Sequence, residues 1–337
     1  MKKVIQTVFA ILLAAVVVSA GVWYAWKKSC ESFLQNTVVS GQYEIEMGQS
    51  FSSVYRQLLK GLTPPLGFFD YLVRIKGIEK NIHFGYYEAN AIPLAELIAD
   101  VVSGRQTLEK VTIPEGYNMY DIATTLENAG IIDTKTMLSV FTDKELINTL
   151  TDNNYESLEG FLAPGTYFFA KRYPPEKIAT KMVEEFNRTL PFDFREKVEA
   201  LGLSFYDAII LASIVQKETY DKDEAPIVAA VFLNRIKARM LIQADPTIIY
   251  GKYSVYDGTI SKADLQDRAN RYNTYKHKGL PPTPISNPSV IALTAVANPE
   301  KNDYYYFVAK KDGKHVFSKS YNEHRRNVRI HQLGMKR

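Results

Sequence analysis

Twenty-three consecutive residues, 4–26, carry no charge, and lysines stand at both ends: Lys2 and Lys3 before the run, Lys27 and Lys28 after it. Backbone that leaves water must satisfy its hydrogen bonds internally, so a run of this length predicts one membrane-spanning helix. Trp23, Tyr24 and Trp26 fall where an interfacial aromatic belt would lie. The rival is a cleaved signal peptide, because Val18-Ser19-Ala20 resembles a cleavage site. The apolar run continues past that site into aromatics and lysines, which favours a retained, single-pass anchor. The paired lysines leave the positive-inside rule undecided. The very short N-terminal tail favours an inside N-terminus, with the bulk of the chain in the periplasm or exterior.

The remaining length allows two or three domains. The net charge of +4 is spread over a mixed surface with no basic block, so a nucleic-acid partner is not expected. Cys30 is the only cysteine, which excludes an intramolecular disulfide and a cysteine-rich metal site. It reads as an incidental thiol. No HExxH, Walker loop, dinucleotide fingerprint or GxSxG motif is present, and the five histidines are scattered, so neither a metal nor a cofactor is expected.

The pattern predicts an α+β chain. Residues 29–42 read as a juxtamembrane linker. Residues 43–133 hold a weak repeat of strand, glycine turn and amphipathic helix. Met47-Gly48-Gln49-Ser50-Phe51 matches Glu115-Gly116-Tyr117-Asn118-Met119, and a poorer copy runs from Tyr86 to Gly104. Such units arise from packing logic alone, or they form a small glycan-binding module of the LysM-like kind. Residues 134–337 form the larger, mixed helical and β domain. Within it, residues 272–288 contain four prolines and suit a long loop serving as a binding wall.

Ser204 and Asp207 signal a helix start, and Ile210, Leu211, Ile214 and Val215 recur at helical spacing behind them. Glu218 continues that apolar stripe at the helix end. Poor solvation and the negative end of the helix dipole would both raise its pKa, as a general acid requires. The alternative is that Glu218 simply reaches solvent where the helix ends. A second helix, 227–240, is apolar on most faces and should be buried. Asp245 before Pro246 reads as a helix cap, with a second catalytic carboxylate as the rival reading.

Several segments together resemble the YceG-like family of endolytic murein transglycosylases: VTIPEGYNMYDIA, EGFLAPGTYFF, LASIVQKET, AAVFLNRI, QADPTIIYG, YNTYKHKGLPPTPISNPS and YYYFVAKKDGKHVFSKSYNEH. The resemblance implies a membrane-anchored enzyme of the inner membrane with its catalytic domain in the periplasm. It implies cleavage of peptidoglycan strands between N-acetylmuramic acid and N-acetylglucosamine, with 1,6-anhydro ends and termination of nascent strands. It also implies a LysM-like subdomain and a catalytic acid at Glu218. Penicillin-binding proteins are partners by family logic only. Two departures stand out. Gln216 replaces the first acid of the family's Glu-Lys-Glu, and Gly165 stands where an aspartate is common. Candidate substrate-binding residues are Gln243, Asp245, Thr247, Tyr250, Tyr272, Asn273, Tyr275, Ser286 and Asn287. His315 and His324 read as structural. A muramidase-type hydrolase would need a second acid, Asp245 or Glu224, and a non-catalytic glycan-binding scaffold is the third reading.

Overall fold

A computed structural model describes residues 1–46 and 48–333, so Met47 of the first repeat lies outside the described residues. The chain divides into two compact units: Met1–Glu109 with Ala170–Tyr173, and Lys110–Phe169 with the chain from Pro174 onward. Both mix helices with two-stranded sheets, giving an α+β architecture.

The first unit opens with α1 (Lys2–Asn36), the one described helix long and apolar enough to cross a membrane. Thirty-five residues reach about 52 Å, well beyond a hydrocarbon core of about 30 Å. The surplus does structural work. Cys30 and Leu34 are buried, Phe33 meets Phe68 edge-on, and Trp26 donates its indole N–H to the Leu66 carbonyl at 2.8 Å. The linker expected over residues 29–42 is therefore the last turns of α1 and the start of β1 (Val38–Ile45). Apolar groups at 30, 33 and 34 carry the helix straight into a core.

β1 pairs antiparallel with β2 (Gly85–Pro93), Tyr43 opposite Tyr87, with an irregularity between Val39 and Gly41. Between them lie α2 (Phe51–Leu58) and α3 (Phe68–Asp70), which runs into a π-turn at Tyr71–Ile75. After β2, α4 (Leu94–Ser103) stops at Gly104, whose φ of +69° provides the left-handed cap. Val54, Phe68, Tyr71, Tyr87, Leu94 and Leu97 form the centre of this core.

The second unit begins at Lys110, upstream of the boundary expected at residue 134. The reason is pairing: β3 (Glu109–Ile113) bonds to β4 (Gly165–Phe169). α5 (Met119–Asn128), started by an Asn118–Asp121 capping box, packs on α6 (Thr134–Phe141). The repeat is thus split, with its Glu115–Met119 copy in the second unit. Helices α7 (Lys144–Thr151), α8 (Pro175–Thr189) and α9 (Phe194–Ala200) lead to α10 (Phe205–Glu218). α10, α11 (Ala225–Lys237) and α14 (Val290–Ala297) pack mutually at the centre. Two short helices, α12 (Asp245–Gly251) and α13 (Lys262–Gln266), precede the long loop. A hairpin of β5 (Tyr306–Ala309) and β6 (His315–Ser318), then α15 (Tyr321–His331), close the unit.

α10 is not a one-stripe amphipathic helix. Every residue from Ala208 to Gln216 is buried. The loop at 272–288 is irregular, as its prolines demand, yet most of it is interior: Asn273, Thr274 and residues 283–288 are buried. It is a strap through the core and only in small part a wall.

Leu34→Ala should open the seat of α1 in the first unit and destabilise that unit by about 2–4 kcal/mol. Because Cys30 is the only cysteine and is buried, thiol labelling reads the effect. The native chain in detergent should label slowly and the variant markedly faster.

Candidate active site

Ser204 accepts a hydrogen bond from the Asp207 N–H at 3.0 Å and donates its hydroxyl to the Asp207 carboxylate at 2.7 Å, which starts α10. The helix ends at Glu218, where Thr219 turns to extended backbone. Glu218 is half-buried and opens on a cleft of about 470 Å³. Among the described residues, none donates a hydrogen bond to its carboxyl group. Burial, then the negative charge of Asp245, push its pKa up to about 7, while Arg235 opposes the rise. An enclosed, unpaired and half-protonated carboxyl near neutral pH can give a proton and take one back.

Three candidate binding residues share this cleft: Gln243, Asp245 and Tyr275. Asp245 does not cap α12. The cap position is Ala244, with no side-chain bond, and the exposed Asp245 carboxylate accepts the Tyr275 hydroxyl at 2.6 Å. Gln243 holds φ at +53°, a left-handed conformation that costs roughly 1 kcal/mol for a residue with a Cβ. Its exposed side chain thereby comes to line the cleft.

The other candidates lie elsewhere. Thr247 is buried, donating to the Ala244 carbonyl at 2.7 Å and sharing a 2.9 Å bond with Thr274. Asn273 is fully buried. Its amide donates to the carbonyls of Asp264 and Asp267 and its oxygen accepts the Tyr275 N–H, which fixes the start of the strap. Ser286 donates to the Ser213 carbonyl at 3.1 Å. Tyr272 is half-buried against Tyr250, its hydroxyl 3.0 Å from Thr283. Side chains whose hydrogen-bonding capacity is spent inside the protein cannot also grip a sugar, so Thr247, Asn273 and Ser286 are scaffold and not wall.

Tyr250 and Asn287 converge on a residue the sequence reading passed over. Glu159 is completely buried. It accepts the Met119 N–H at 2.9 Å, the Tyr250 hydroxyl at 2.9 Å and the Asn287 amide at 2.8 Å. The Asn287 oxygen in turn accepts the N–H groups of Gly160 and Leu162, both at 2.8 Å. Burial pushes the Glu159 pKa up to about 8, against the pull of the Met119 and Tyr250 donors. The available signal was an acid inside the turn-rich apolar segment EGFLAP, with no solvent-facing pattern around it.

Arg235, within the helix expected to be buried, was also missed. It is buried beneath the cleft, donating to the Tyr305 and Ile242 carbonyls, both at 2.6 Å. Glu224 does not line the cleft. It is buried and accepts both the backbone N–H and the ring Nδ1 of His315, at 2.9 and 2.7 Å. Gln216 faces the interior, where its oxygen accepts the Ser289 N–H at 2.8 Å and ties the strap to α10. An amide serves that bond without burying a charge. Gly165 opens β4, and nothing in the structure explains its departure from aspartate. No group of three or more metal-ligating side chains occurs among the described residues.

The sequence profile of the YceG-like family matches residues 43–330. The chain is 30% identical over 272 residues to an endolytic murein transglycosylase of Bacillus subtilis, covering 76% of this chain and 74% of that one. It is 25% identical to an endolytic murein transglycosylase of Streptococcus pneumoniae, covering 96% of this chain but 65% of that longer one. Among solved structures, the 2.6 Å crystal structure of a YceG-like protein from Listeria monocytogenes superposes with a TM-score of 0.59 at 28% identity. It covers 86% of this chain and 99% of its own.

Two outcomes follow from the charges. Asp245→Asn removes a charge that raises the Glu218 pKa, so the alkaline limb of the pH–activity profile should move to lower pH; an unmoved limb would dissociate the two groups. Glu159 has a folded pKa above its ordinary 4.5, so the folded state binds its proton more tightly. Its contribution to stability is full below about pH 4.5 and is lost as pH rises through about 8. Glu159→Gln should flatten that dependence in urea titrations across this range. Glu159→Leu should cost about 3–5 kcal/mol by stranding three donors.

Proposed function

Because the chain belongs to the YceG-like family, we propose that it is an endolytic murein transglycosylase with Glu218 as its catalytic acid and base. The observation that carries the assignment is the Glu218 carboxyl: half-buried, without a hydrogen bond from any described residue, and shifted to about 7 within an open cleft. In this reading Glu218 protonates the glycosidic oxygen between N-acetylmuramic acid and N-acetylglucosamine as the bond breaks through an oxocarbenium-like state. The carboxylate then accepts the proton of the muramyl C6 hydroxyl, which attacks C1 and closes a 1,6-anhydro ring. One group suffices, since no water is activated. Asp245, Gln243 and Tyr275 hold the sugars beside it, and the negative Asp245 favours the cationic state.

The first unit is the LysM-like glycan-binding subdomain in this proposal, supported by its β-α-α-β order and antiparallel strand pair. α1 anchors the protein in the cytoplasmic membrane with the enzyme on the outer side, where nascent strands are made and where penicillin-binding proteins would be its neighbours. A second reading, hydrolysis, draws on the presence of Asp245 in the cleft with Glu218, since paired carboxylates are the usual hydrolase arrangement.

Glu218→Gln should lower glycan cleavage by about 10²–10⁴-fold, in the range of a lost general acid. Mass spectrometry of wild-type digests decides between the readings. Anhydro-muramyl ends are expected; reducing muramic acid ends would establish hydrolysis instead, and cleavage by the Gln variant at the wild-type rate would remove Glu218 from the chemistry.

A further inference from the structure

The cleft has a second wall that neither the proton chemistry nor the sugar-holding residues use. It is built from the β5–β6 hairpin and α15, and it carries two imidazoles, His315 and His324. Each has one ring nitrogen accounted for inside the protein, by opposite means.

His315 turns Nδ1 to the buried Glu224 carboxylate, 2.7 Å away, and Glu224 also accepts the His315 backbone N–H at 2.9 Å. A carboxylate accepts and does not donate, so Nδ1 carries the proton. The ring packs edge-on against Phe307 at 5.3 Å. No described residue bonds to Nε2, which in the neutral ring bears a lone pair.

His324 is the converse. Its Nδ1 is buried without any hydrogen-bond partner, and the ring stacks on Tyr306 at 5.3 Å. The Arg235 guanidinium lies over the same Tyr306 ring, 5.4 Å from its centre. An unpaired buried N–H costs more than an unpaired acceptor, and a nearby cation favours a lone pair over a proton. Burial and Arg235 both lower the pKa of this ring, which keeps it neutral. The proton therefore sits on Nε2, which becomes a donor.

We propose that His315 and His324 form an amide-recognition pair on the second wall of the cleft, His315 accepting an N–H and His324 donating to a carbonyl. Amides are the one substituent class of the muramyl residue that offers both groups, in its N-acetyl arm and in its stem peptide. Glu224 acts as the positioning residue that fixes the His315 tautomer. This inference rests on the transglycosylase reading above. It adds a specificity element that a glycan of plain hydroxyls would not need.

The test uses the full chain in detergent on peptide-bearing glycan strands and on the same strands stripped of stem peptide by an amidase. His315→Asn keeps a donor toward Glu224 but has nothing at Nε2. His324→Phe keeps the stack on Tyr306 but loses the donor, and His324→Gln restores an amide N–H near the Nε2 position. On peptide-bearing strands His315→Asn and His324→Phe should each raise KM about 5–20-fold with kcat within about threefold, the size of a lost hydrogen bond, and His324→Gln should recover most of the loss. Glu224→Gln should raise KM in the same direction. If the loss vanishes on stripped strands, the amide is in the stem; if it persists, it is the N-acetyl group. Unchanged KM on both substrates, or a fall in kcat alone, overturns the proposal. The wild type and Glu218→Gln in the same assay test the underlying reading separately: if the wild type cleaves neither substrate the enzyme assignment fails, and if the Gln variant cleaves normally Glu218 leaves the chemistry, whatever the histidine variants do.

Discussion

A helix buried on every side can present chemistry only at its ends. α10 is such a helix, enclosed from Ala208 to Gln216. The nine buried residues leave no room for a charge, so the acid that follows them, Glu218, stands at the point where the backbone turns away. The carboxyl therefore stands on the end of a core helix and is open to a cleft. Its shifted pKa is a product of that position, with Asp245 adding to the shift and Arg235 limiting it.

Burying α10 creates a second problem, which the strap at 272–288 solves. Irregular backbone in an interior must find partners for each N–H and carbonyl. The Asn273 oxygen takes the Tyr275 N–H, Ser213 takes the Ile285 N–H and Gln216 takes the Ser289 N–H just beyond, while Ser286 and Asn287 satisfy backbone groups of Ser213, Gly160 and Leu162, and Glu159 accepts the donors of Met119, Tyr250 and Asn287. The polar residues that made the loop look like a sugar-binding wall are the ones that let it run through protein. Only at its edge does it reach the cleft, through Tyr275, whose hydroxyl holds Asp245 in place.

Much was legible because it depends on local order. The S-x-x-D start of α10, the largely apolar α11 and the β5–β6 hairpin around Asp312-Gly313 follow from spacing of residues near one another in the chain. The run at 4–26 shows as helix for the same reason, although its continuation into the first unit depended on what Cys30, Phe33 and Leu34 would meet. The boundary near 110 was not legible, because β3 belongs with β4, a strand more than fifty residues further on.

The sequence by itself determined that Glu218 ends an apolar helix and that metal-binding and nucleotide-binding motifs are missing. Only the tertiary structure decided which polar side chains share the cleft. Asp245, Gln243 and Tyr275 reach it; Asn273, Asn287 and Tyr250 are drawn into the interior; Arg235 and His315 come to it from other elements, with the buried Glu224 behind His315. Residue type cannot separate these cases. An asparagine that binds a sugar and one that satisfies buried backbone offer the same donors and acceptors, and long-range packing alone sets which of them water or substrate can touch.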